Sequence, residues 1–501
     1  MALPVAIYSS AQVRALDRRA IERQGIASYE LMKRAGEASL RALRMRWPTA
    51  QRIAVVCGGG NNGGDGYVLA RFAQAAGLSA AVIAATDPSA LSGDAARAHQ
   101  DWRATGAGVR AFDGVVPGDC DVVVDALTGT GLKDPLRPAA LAVVAAINGA
   151  GPPVLALDVP SGLDSDSGLP LGGAVRAAAT ITFVGLKTGL FLGDGPEFVG
   201  QLFFDDLGVE VPSDDAAFVP PLERLLDEEI GAVLRKRART AHKGEHGRVL
   251  IVGGGVGMAG AAQLAGHAAL RAGAGLVQIA CAPPSAASIV AAVPELLVRG
   301  IDSARELAPL VERADVVAVG PGLGQDDWAR AVWQGLQQQA LGKPWIVDAD
   351  ALNLLANERA EPQGRTPTRD WILTPHPGEA ARLLGRSVRE VQSSRLASVT
   401  ALVERFGATV VLKGAGSLVA APGRVPAICS YGNPGMATAG MGDVLTGVIA
   451  AIRAQGVAAL PAARAGVLAH ALAGDAAARA GERGLMARDV IDELRNCVNP
   501  P

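Results

Sequence analysis

Cysteine is scarce and scattered in this chain, and neither sign of charge is in excess. The 5 cysteines, at positions 57, 120, 281, 429 and 497, are odd in number and never form a CxxC pair. That pattern excludes a disulfide framework and a zinc site of ordinary spacing, and it fits a reducing compartment. Lys and Arg number 47 against 49 Asp and Glu, a formal net charge of −2. Such a balance leaves no electrostatic footprint for nucleic acid. No apolar run approaches the ~20 residues of a membrane-spanning helix. The Ala-rich stretch at 458–480 is broken by Arg464, His470, Asp475 and Arg479. The opening MALPVAIYSS carries neither the basic n-region nor the long apolar core of a secretory signal. The expectation is a cytoplasmic homo-oligomer with small-molecule substrates, bound to neither membrane nor nucleic acid.

Glycine and apolar residues are plentiful instead. Of 501 residues, 49% are hydrophobic and 62 are glycine, against a usual glycine share of ~7%. The length implies two or three domains. In the first half, helical patterns at 10–24 and 29–46 precede a strand at 52–57, a Gly loop and a helix at 65–76. Strand-like runs follow at 80–84, 122–125, 154–158, 180–184 and 202–204. The rhythm fades at VPSDD and the Pro220-Pro221 pair, so 213–221 reads as a linker. It then restarts, with strands at 248–252, 276–280, 316–319, 344–347, 371–373 and 410–412. A hairpin is expected at 417–421 and 424–429, and helices at 260–272, 439–454 and 461–480. Strands alternating with helices predict an α/β protein of two three-layer αβα domains, 1–212 and 222–501, each with a mainly parallel sheet.

Chemistry concentrates at the predicted strand ends, where open α/β sheets bind ligands. In the second half these loops are GGGVGMAG (253–260), GPGLG (320–324), TPHPGE (374–379), KGAGS (413–417) and GMGD (440–443). One Gly-rich loop is usually a tight turn; five in succession are harder to dismiss. Gly440-Met441-Gly442 precedes Asp443 and an apolar helix, so an anion can rest on backbone N–H groups at the helix N-terminus. A carboxylate beside an anion hole is no phosphate ligand. Its natural task is to take a proton from a hydroxyl in phosphoryl transfer. Lys413 with Gly414, Ala415, Gly416 and Ser417 can hold nucleotide phosphates or ribose. His376 is either a substrate contact or an ordinary loop histidine.

HKGEHGRVLIVGG (242–254), DADALN (348–353), TPHPGE and AGMGDVLTG (439–447) resemble the ADP/ATP-dependent NAD(P)H-hydrate dehydratases of ribokinase-like fold, over about 222–501. The resemblance implies that Asp443 is the base acting on the C6 hydroxyl of a hydrated nicotinamide. Ala259, Gly322 and His376 would touch the hydrate. Residues 413–417 and Gly442 would bind ADP or ATP, with Mg²⁺ as companion. The hydroxyl would be phosphorylated and leave as phosphate, restoring NADH or NADPH. Met441 departs from the frequent GTGD pattern, which matters little if backbone N–H groups form the anion hole.

In the first half, GGGNNGGDG (58–66) lies between a strand and a helix. Asn61 and Asn62 add side-chain carbonyls, Gly63 and Gly64 add freedom that a simple turn does not need, and Asp65 is expected to cap the helix. Asp125 with Gly129, Thr130, Gly131, Leu132, Lys133, Asp134 and Pro135 marks the next strand end, and DVPSGLD (158–164) a third. Asn62, Asp125 and Ser161 can converge as hard oxygen ligands. With one carboxylate among them, they suit a monovalent ion over Ca²⁺. Asp158 and Lys133 remain as an acid/base pair, or Asp158 merely bonds loop amides.

These motifs resemble the NAD(P)H-hydrate epimerase domain, a Rossmann-like fold, across about 7–211. The resemblance implies K⁺ on Asn62, Asp125 and Ser161. It places the hydrate against 61–65, 129–135 and Asp158, with Asp158 and Lys133 catalytic. Both domains in one chain resemble the bifunctional NAD(P)H-hydrate repair enzymes. Hydration yields both C6 epimers, a stereospecific dehydratase uses only the S form, and an epimerase opens the whole pool to repair. The competing reading is a vitamin or sugar kinase acting through Asp443, with a non-catalytic nucleotide-binding first domain.

Overall fold

The computed structural model describes residues 3–358 and 370–499. Two compact units emerge, Met1–Leu222 and Glu223–Pro501. Among the described residues no helix is long and apolar enough to cross a membrane.

The first unit is built on a seven-stranded parallel sheet. Its order is Val109–Ala111, Ser79–Ala84, Arg52–Cys57, Val122–Ala126, Val154–Leu157, Ala179–Phe183 and Gln201–Asp205. The chain lays strands to one side of Arg52–Cys57 and then returns to the other side with Val122–Ala126. Between these two strands lies a topological switch point, whose C-terminal ends open a crevice. Ile53, Val55 and Val124 pack one face with Leu43 and Tyr67. Ala54, Val56 and Val123 pack the other with Val143 and Ile147. Burial on both faces explains why these strands read as unbroken apolar runs. A short parallel pair, Ala6–Tyr8 with Leu186–Lys187, sets Tyr8 beside Lys187. Helix Ser10–Arg23 follows it.

One expectation needs correction. The helix read from 65 begins at Asn61 and runs to Ala75, with Gly60 as its N-cap. The Asn and Gly residues are therefore its first turn, and Asp65 lies inside the helix rather than capping it. The glycines serve packing: a Cβ on Gly64 would come within 2.6 Å of the Met32 side chain on helix Ser28–Arg46.

The second unit repeats the logic. Its strands run Leu297–Gly300, Leu276–Cys281, Arg248–Val252, Val316–Val319, Trp345–Val347, Trp371–Leu373 and Thr409–Leu412, all parallel. The antiparallel hairpin Ser417–Ala420 and Ala427–Cys429 extends the sheet. The switch point lies between Arg248–Val252 and Val316–Val319. Helix Met441–Ala454, buried from Val444 to Ile452, packs in the same core as Ile251, Ala318 and Ile346. Sequence reading missed the edge strand Leu297–Gly300, where half-exposed residues break the apolar run.

Candidate active sites

In the first unit the predicted loops line one cavity of about 680 Å³. Gly60, Asn61 and Asn62 border it from the helix start, Gly129 to Leu132 from the next strand end, and Asp158 from the third. The N–H groups of Asn61, Asn62 and Gly63 precede the first intrahelical bond, Gly64 N–H to Gly60 O, so this end suits an anion. Gly129 lies between two of the predicted residues. A Cβ there would stand 3.0 Å from Asp158 Oδ2 and 3.3 Å from Asn62 Cγ.

Asp158 carries a left-handed backbone, φ 65°, a strained geometry for a non-glycine residue. Its Oδ1 accepts from Lys187 Nζ at 2.6 Å. Its Oδ2 accepts from the Thr130 N–H at 3.0 Å and from the Thr130 hydroxyl. Burial works to raise the Asp158 pKa, but the Lys187 charge and these hydrogen bonds outweigh it, and the carboxyl sits below its usual range. Lys187 is 1% exposed and also donates to Thr182 Oγ1 and the Phe183 carbonyl. Two further acids share the surroundings. Asp17, on the cavity wall, is pushed up to about 6 by burial, with the Asp158 charge adding and Lys187 opposing. Asp65 is pushed up by burial and by Asp158 and Asp17.

Asn62, Asp125 and Ser161 meet beneath this wall around the Thr128 backbone. Asn62 Nδ2 donates to Thr128 O at 2.9 Å, and Thr128 N–H donates to Ser161 Oγ at 2.8 Å. Ser161 Oγ lies 2.6 Å from Asp125 Oδ1, and Ser161 N–H donates to Oδ2 at 2.8 Å. Burial pushes Asp125 up to about 6, against the hydrogen bonds from Ser161. Asn62 Oδ1 is buried with no hydrogen-bond partner. An orphaned carbonyl oxygen beside a carboxylate and a hydroxyl fits a cation ligand set.

Lys133 is not brought to Asp158. It is exposed and outside the cavity lining, as are Asp134 and Pro135. Lys187 takes the place expected for it. Sequence reading missed Lys187 and Asp17. The available signal was a lone Lys inside the apolar run ITFVGLKTGLFL, since Lys is almost never fully buried unless paired.

In the second unit the predicted loops join through Lys413. Its Nζ lies 2.6 Å from Asp348 Oδ1 and 3.9 Å from Glu379 Oε2. Asp348, 1% exposed, also accepts from Thr446 Oγ1 at 2.7 Å. Burial alone would lower the Lys413 pKa, but Asp348 and Glu379 reverse it and the net shift is upward. Lys413 N–H donates to Pro375 O at 2.9 Å, tying KGAGS to TPHPGE. His376 caps helix Pro377–Leu384: its Nδ1 accepts from Gly378 N–H, and its own N–H donates to Glu379 Oε2. Half its side chain is exposed, so the ring has a structural task and an open face. Asp350 Oδ2 accepts from Gly324 N–H at 2.9 Å, joining DADALN to GPGLG. Gly255 N–H donates to Gly322 O at 2.6 Å, joining the first loop. Ala259 opens helix Ala259–Arg271 beside it, with Met258 O against Gly322.

Gly440, at φ 91°, is the left-handed N-cap of helix Met441–Ala454. A Cβ on Gly442 would stand 3.2 Å from Lys413 Nζ, so the anion-hole turn and the KGAGS loop are neighbours. Asp443 occupies the first helical turn. It is pushed up to about 7 by burial and by the charges of Asp348 and Asp350, against Lys413. A carboxyl poised near neutrality beside a helix N-terminus is equipped to accept a proton during phosphoryl transfer.

Two α/β units, the first with a cavity at its switch point and the second carrying the Gly-turn and acid of a ribokinase-like site, define a two-domain enzyme. The NAD(P)H-hydrate dehydratase family matches residues 249–496, and the family described as YjeF-related protein N-terminus matches 28–189. The bifunctional NAD(P)H-hydrate repair enzyme Nnr of Coxiella burnetii is 45% identical over 99% of this chain and 99% of its own length. That of Escherichia coli K12 is 42% identical over 100% of this chain and 95% of its own. A ribokinase-like superfamily protein from Enterococcus faecalis V583 superposes with a TM-score of 0.51 at 28% identity, covering 56% of this chain and 95% of that one. The chain belongs to the bifunctional NAD(P)H-hydrate repair enzyme family.

Two stability effects follow from this geometry. Lys413→Ala strands the buried Asp348 carboxylate, and breaking such a pair costs about 3–5 kcal/mol. Adding Asp348→Asn to that variant should recover most of the loss, as read by thermal unfolding. Asp443 should act in the opposite direction. An unfolded Asp titrates near ~3.9, whereas the folded carboxyl keeps its proton to about 7. Below the unfolded value both states are protonated and stability is complete; it declines as pH rises to the folded value. Asp443→Asn stays neutral, so it should be more stable than wild type at pH 8, on the order of 4 kcal/mol for a gap from ~3.9 to about 7. The difference should vanish near pH 4.

Proposed function

We infer that the protein repairs hydrated NADH and NADPH through two activities. The first domain, 1–212, interconverts the R and S epimers at C6. The second, 222–501, joined through 213–221, dehydrates the S epimer with ADP or ATP, releasing AMP or ADP and phosphate. The observation that carries this reading is the pairing of an acid-lined cavity in the first domain with the Asp443 site in the second, in one chain whose relatives match it end to end. A sugar or vitamin kinase with an inert first domain is not favoured: a pure binding module has no need of Asp158, Asp17 and Lys187 around one cavity.

In the second domain Asp443 takes the proton from the C6 hydroxyl as its oxygen attacks the terminal phosphoryl group. The C6–O bond then breaks, phosphate leaves, and loss of the C5 proton restores the dihydropyridine. Backbone N–H groups at Gly440–Gly442 hold the transferring phosphoryl group, while 413–417 holds the nucleotide. Ala259, Gly322 and His376 face the hydrate. Among the described residues no three His, Cys, Asp or Glu side chains form a metal cage, so Mg²⁺ would arrive on the nucleotide phosphates.

In the first domain C6 is a carbinolamine carbon. Asp158, kept ionised by Lys187 and Thr130, takes the C6 hydroxyl proton as the C6–N1 bond breaks to an open aldehyde, and Asp17, in the same cavity, gives a proton to N1. Closure of N1 on the other face of the aldehyde reverses both transfers and inverts C6. Acids whose surroundings push their pKa values apart divide the base and acid roles. Asn62, Asp125, Ser161 and the Thr128 carbonyl would hold K⁺, which neutralises the buried carboxylate and fixes the Thr128–Leu132 loop. The protein is expected in the cytoplasm, as a homo-oligomer.

The test is to mix purified protein with both NADH-hydrate epimers and each nucleotide, following recovery of reduced-nicotinamide absorbance. A stable phosphorylated product without NADH would support the kinase reading instead. Asp443→Asn should lower the dehydration rate by about 10²–10⁴-fold and leave epimer exchange intact. Because the base must be ionised, wild-type dehydration should climb with pH through about 7. A flat profile would contradict the assignment.

Asp158→Ala should abolish epimer exchange and leave dehydration of the S epimer in place. Exchange in the wild type should also fail when K⁺ is replaced by Na⁺. A folded Asp158→Ala protein that equilibrates the epimers at the normal rate would refute this assignment.

A further inference from the structure

Beneath the KGAGS loop lies a charge that the catalytic account leaves unused. Arg395 is the first residue of helix Arg395–Phe406 and is 6% exposed. Among the described residues no carboxylate charge acts on its guanidinium. Burial draws its pKa down to about 10. Its partners are almost all carbonyls of one segment. Nη2 donates to Gly416 O at 3.0 Å and Leu412 O at 3.3 Å, Nη1 lies 3.4 Å from Lys413 O, and Nη1 donates to Gln392 Oε1 at 3.0 Å. Gly414 passes directly over it with φ 140°, and a Cβ there would stand 2.8 Å from Nη1.

A buried cation without a counter-ion is costly unless dipoles replace water around it. Here three loop carbonyls supply those dipoles. In a trans peptide the C=O and the following N–H point in opposite directions. Turning the Leu412 carbonyl onto Arg395 sends the Lys413 N–H the other way, and it does bond Pro375 O in the neighbouring site loop. By the same geometry the Lys413 carbonyl sends the Gly414 N–H away from Arg395, and the Gly416 carbonyl does so for Ser417.

We propose that Arg395 is a positioning residue that presets the Lys413–Ser417 loop for the nucleotide. It gathers the loop's carbonyls inward and leaves the Gly414 and Ser417 N–H groups outward for phosphate or ribose oxygens, while the Lys413 N–H ties the loop to Pro375 O. It also supplies a positive charge beneath the loop that Asp348 does not cancel, since Asp348 is committed to Lys413. The inference rests on the assignment of this loop to the nucleotide.

The experiment compares wild type, Arg395→Ala and Arg395→Lys for ADP and ATP affinity by calorimetry, steady-state dehydration, epimer exchange and thermal unfolding. Arg395→Ala should raise nucleotide Kd and KM about tenfold or more, as expected for loss of charge-assisted hydrogen bonds. Hydrate KM and epimer exchange should stay within about twofold. Arg395→Lys keeps the charge but loses the fork, so it should fall between. Low concentrations of free guanidinium should lower the nucleotide KM of Arg395→Ala and not that of wild type, a rescue a merely structural role would not produce. If Arg395→Ala does not fold, Arg395→Lys carries the test. Wild-type nucleotide affinity in a folded Arg395→Lys or Arg395→Ala protein would overturn this inference alone. A wild-type protein that binds neither nucleotide would overturn the loop assignment and this inference with it.

Discussion

A lysine clamped on a strand-end aspartate, fully buried in the first unit and partly buried in the second, recurs in both units. Lys187 holds Asp158 and Lys413 holds Asp348, each at 2.6 Å. In both, a left-handed non-glycine residue stands at the strand end: Asp158 itself, at φ 65°, and Ala349, next to Asp348, at φ 48°. A charge taken out of water must be compensated where it lies, and that requirement decides which acids in each crevice are ionised. The rest of each site is arranged around the clamp.

The two units use the clamp for different ends. In the first, the clamped acid is the reacting group. Lys187 and Thr130 keep Asp158 charged, while at Asp17 and Asp65 burial outweighs the Lys187 charge and pushes both toward the neutral form. In the second, the clamped Asp348 supports Lys413 and its own charge helps push Asp443 up. The Lys187 pairing gives a low-pKa base in one site, whereas burial, with Asp348 adding and Lys413 opposing, gives a near-neutral base in the other. That separation suits a carbinolamine proton transfer in the first and a phosphoryl-linked one in the second.

Much of this was legible in the chain because it is local. Parallel strands buried on both faces appear as apolar runs, and their C-terminal ends mark the crevices, so the loops at 58–66, 253–260 and 413–417 stood out. Asp158, Asn62 and Asp443 were readable from such loops. What escaped depends on distant segments. Lys187 reaches Asp158 because Leu186–Lys187 pairs with Ala6–Tyr8, a contact no local pattern encodes. Asp17 looks like one polar residue on an amphipathic helix. Lys133 sits in the right loop but points to solvent. The helix start at Asn61 was hidden because Asn and Gly are poor helix formers that here meet a packing demand from Met32.

The central claim is that the surroundings, not the residue types, set the protonation of the reacting acids: Lys187 keeps Asp158 ionised, and burial with the Asp348 charge pushes Asp443 up against Lys413. It is tested most directly by a ¹³C-carboxyl NMR titration of aspartate-labelled protein, with Asp158→Asn and Asp443→Asn assigning the two resonances. The account predicts that Asp158 titrates below the usual carboxylate range and Asp443 near 7. An Asp443 that titrates with ordinary aspartates, near ~3.9, or an Asp158 still protonated at neutral pH, would contradict it.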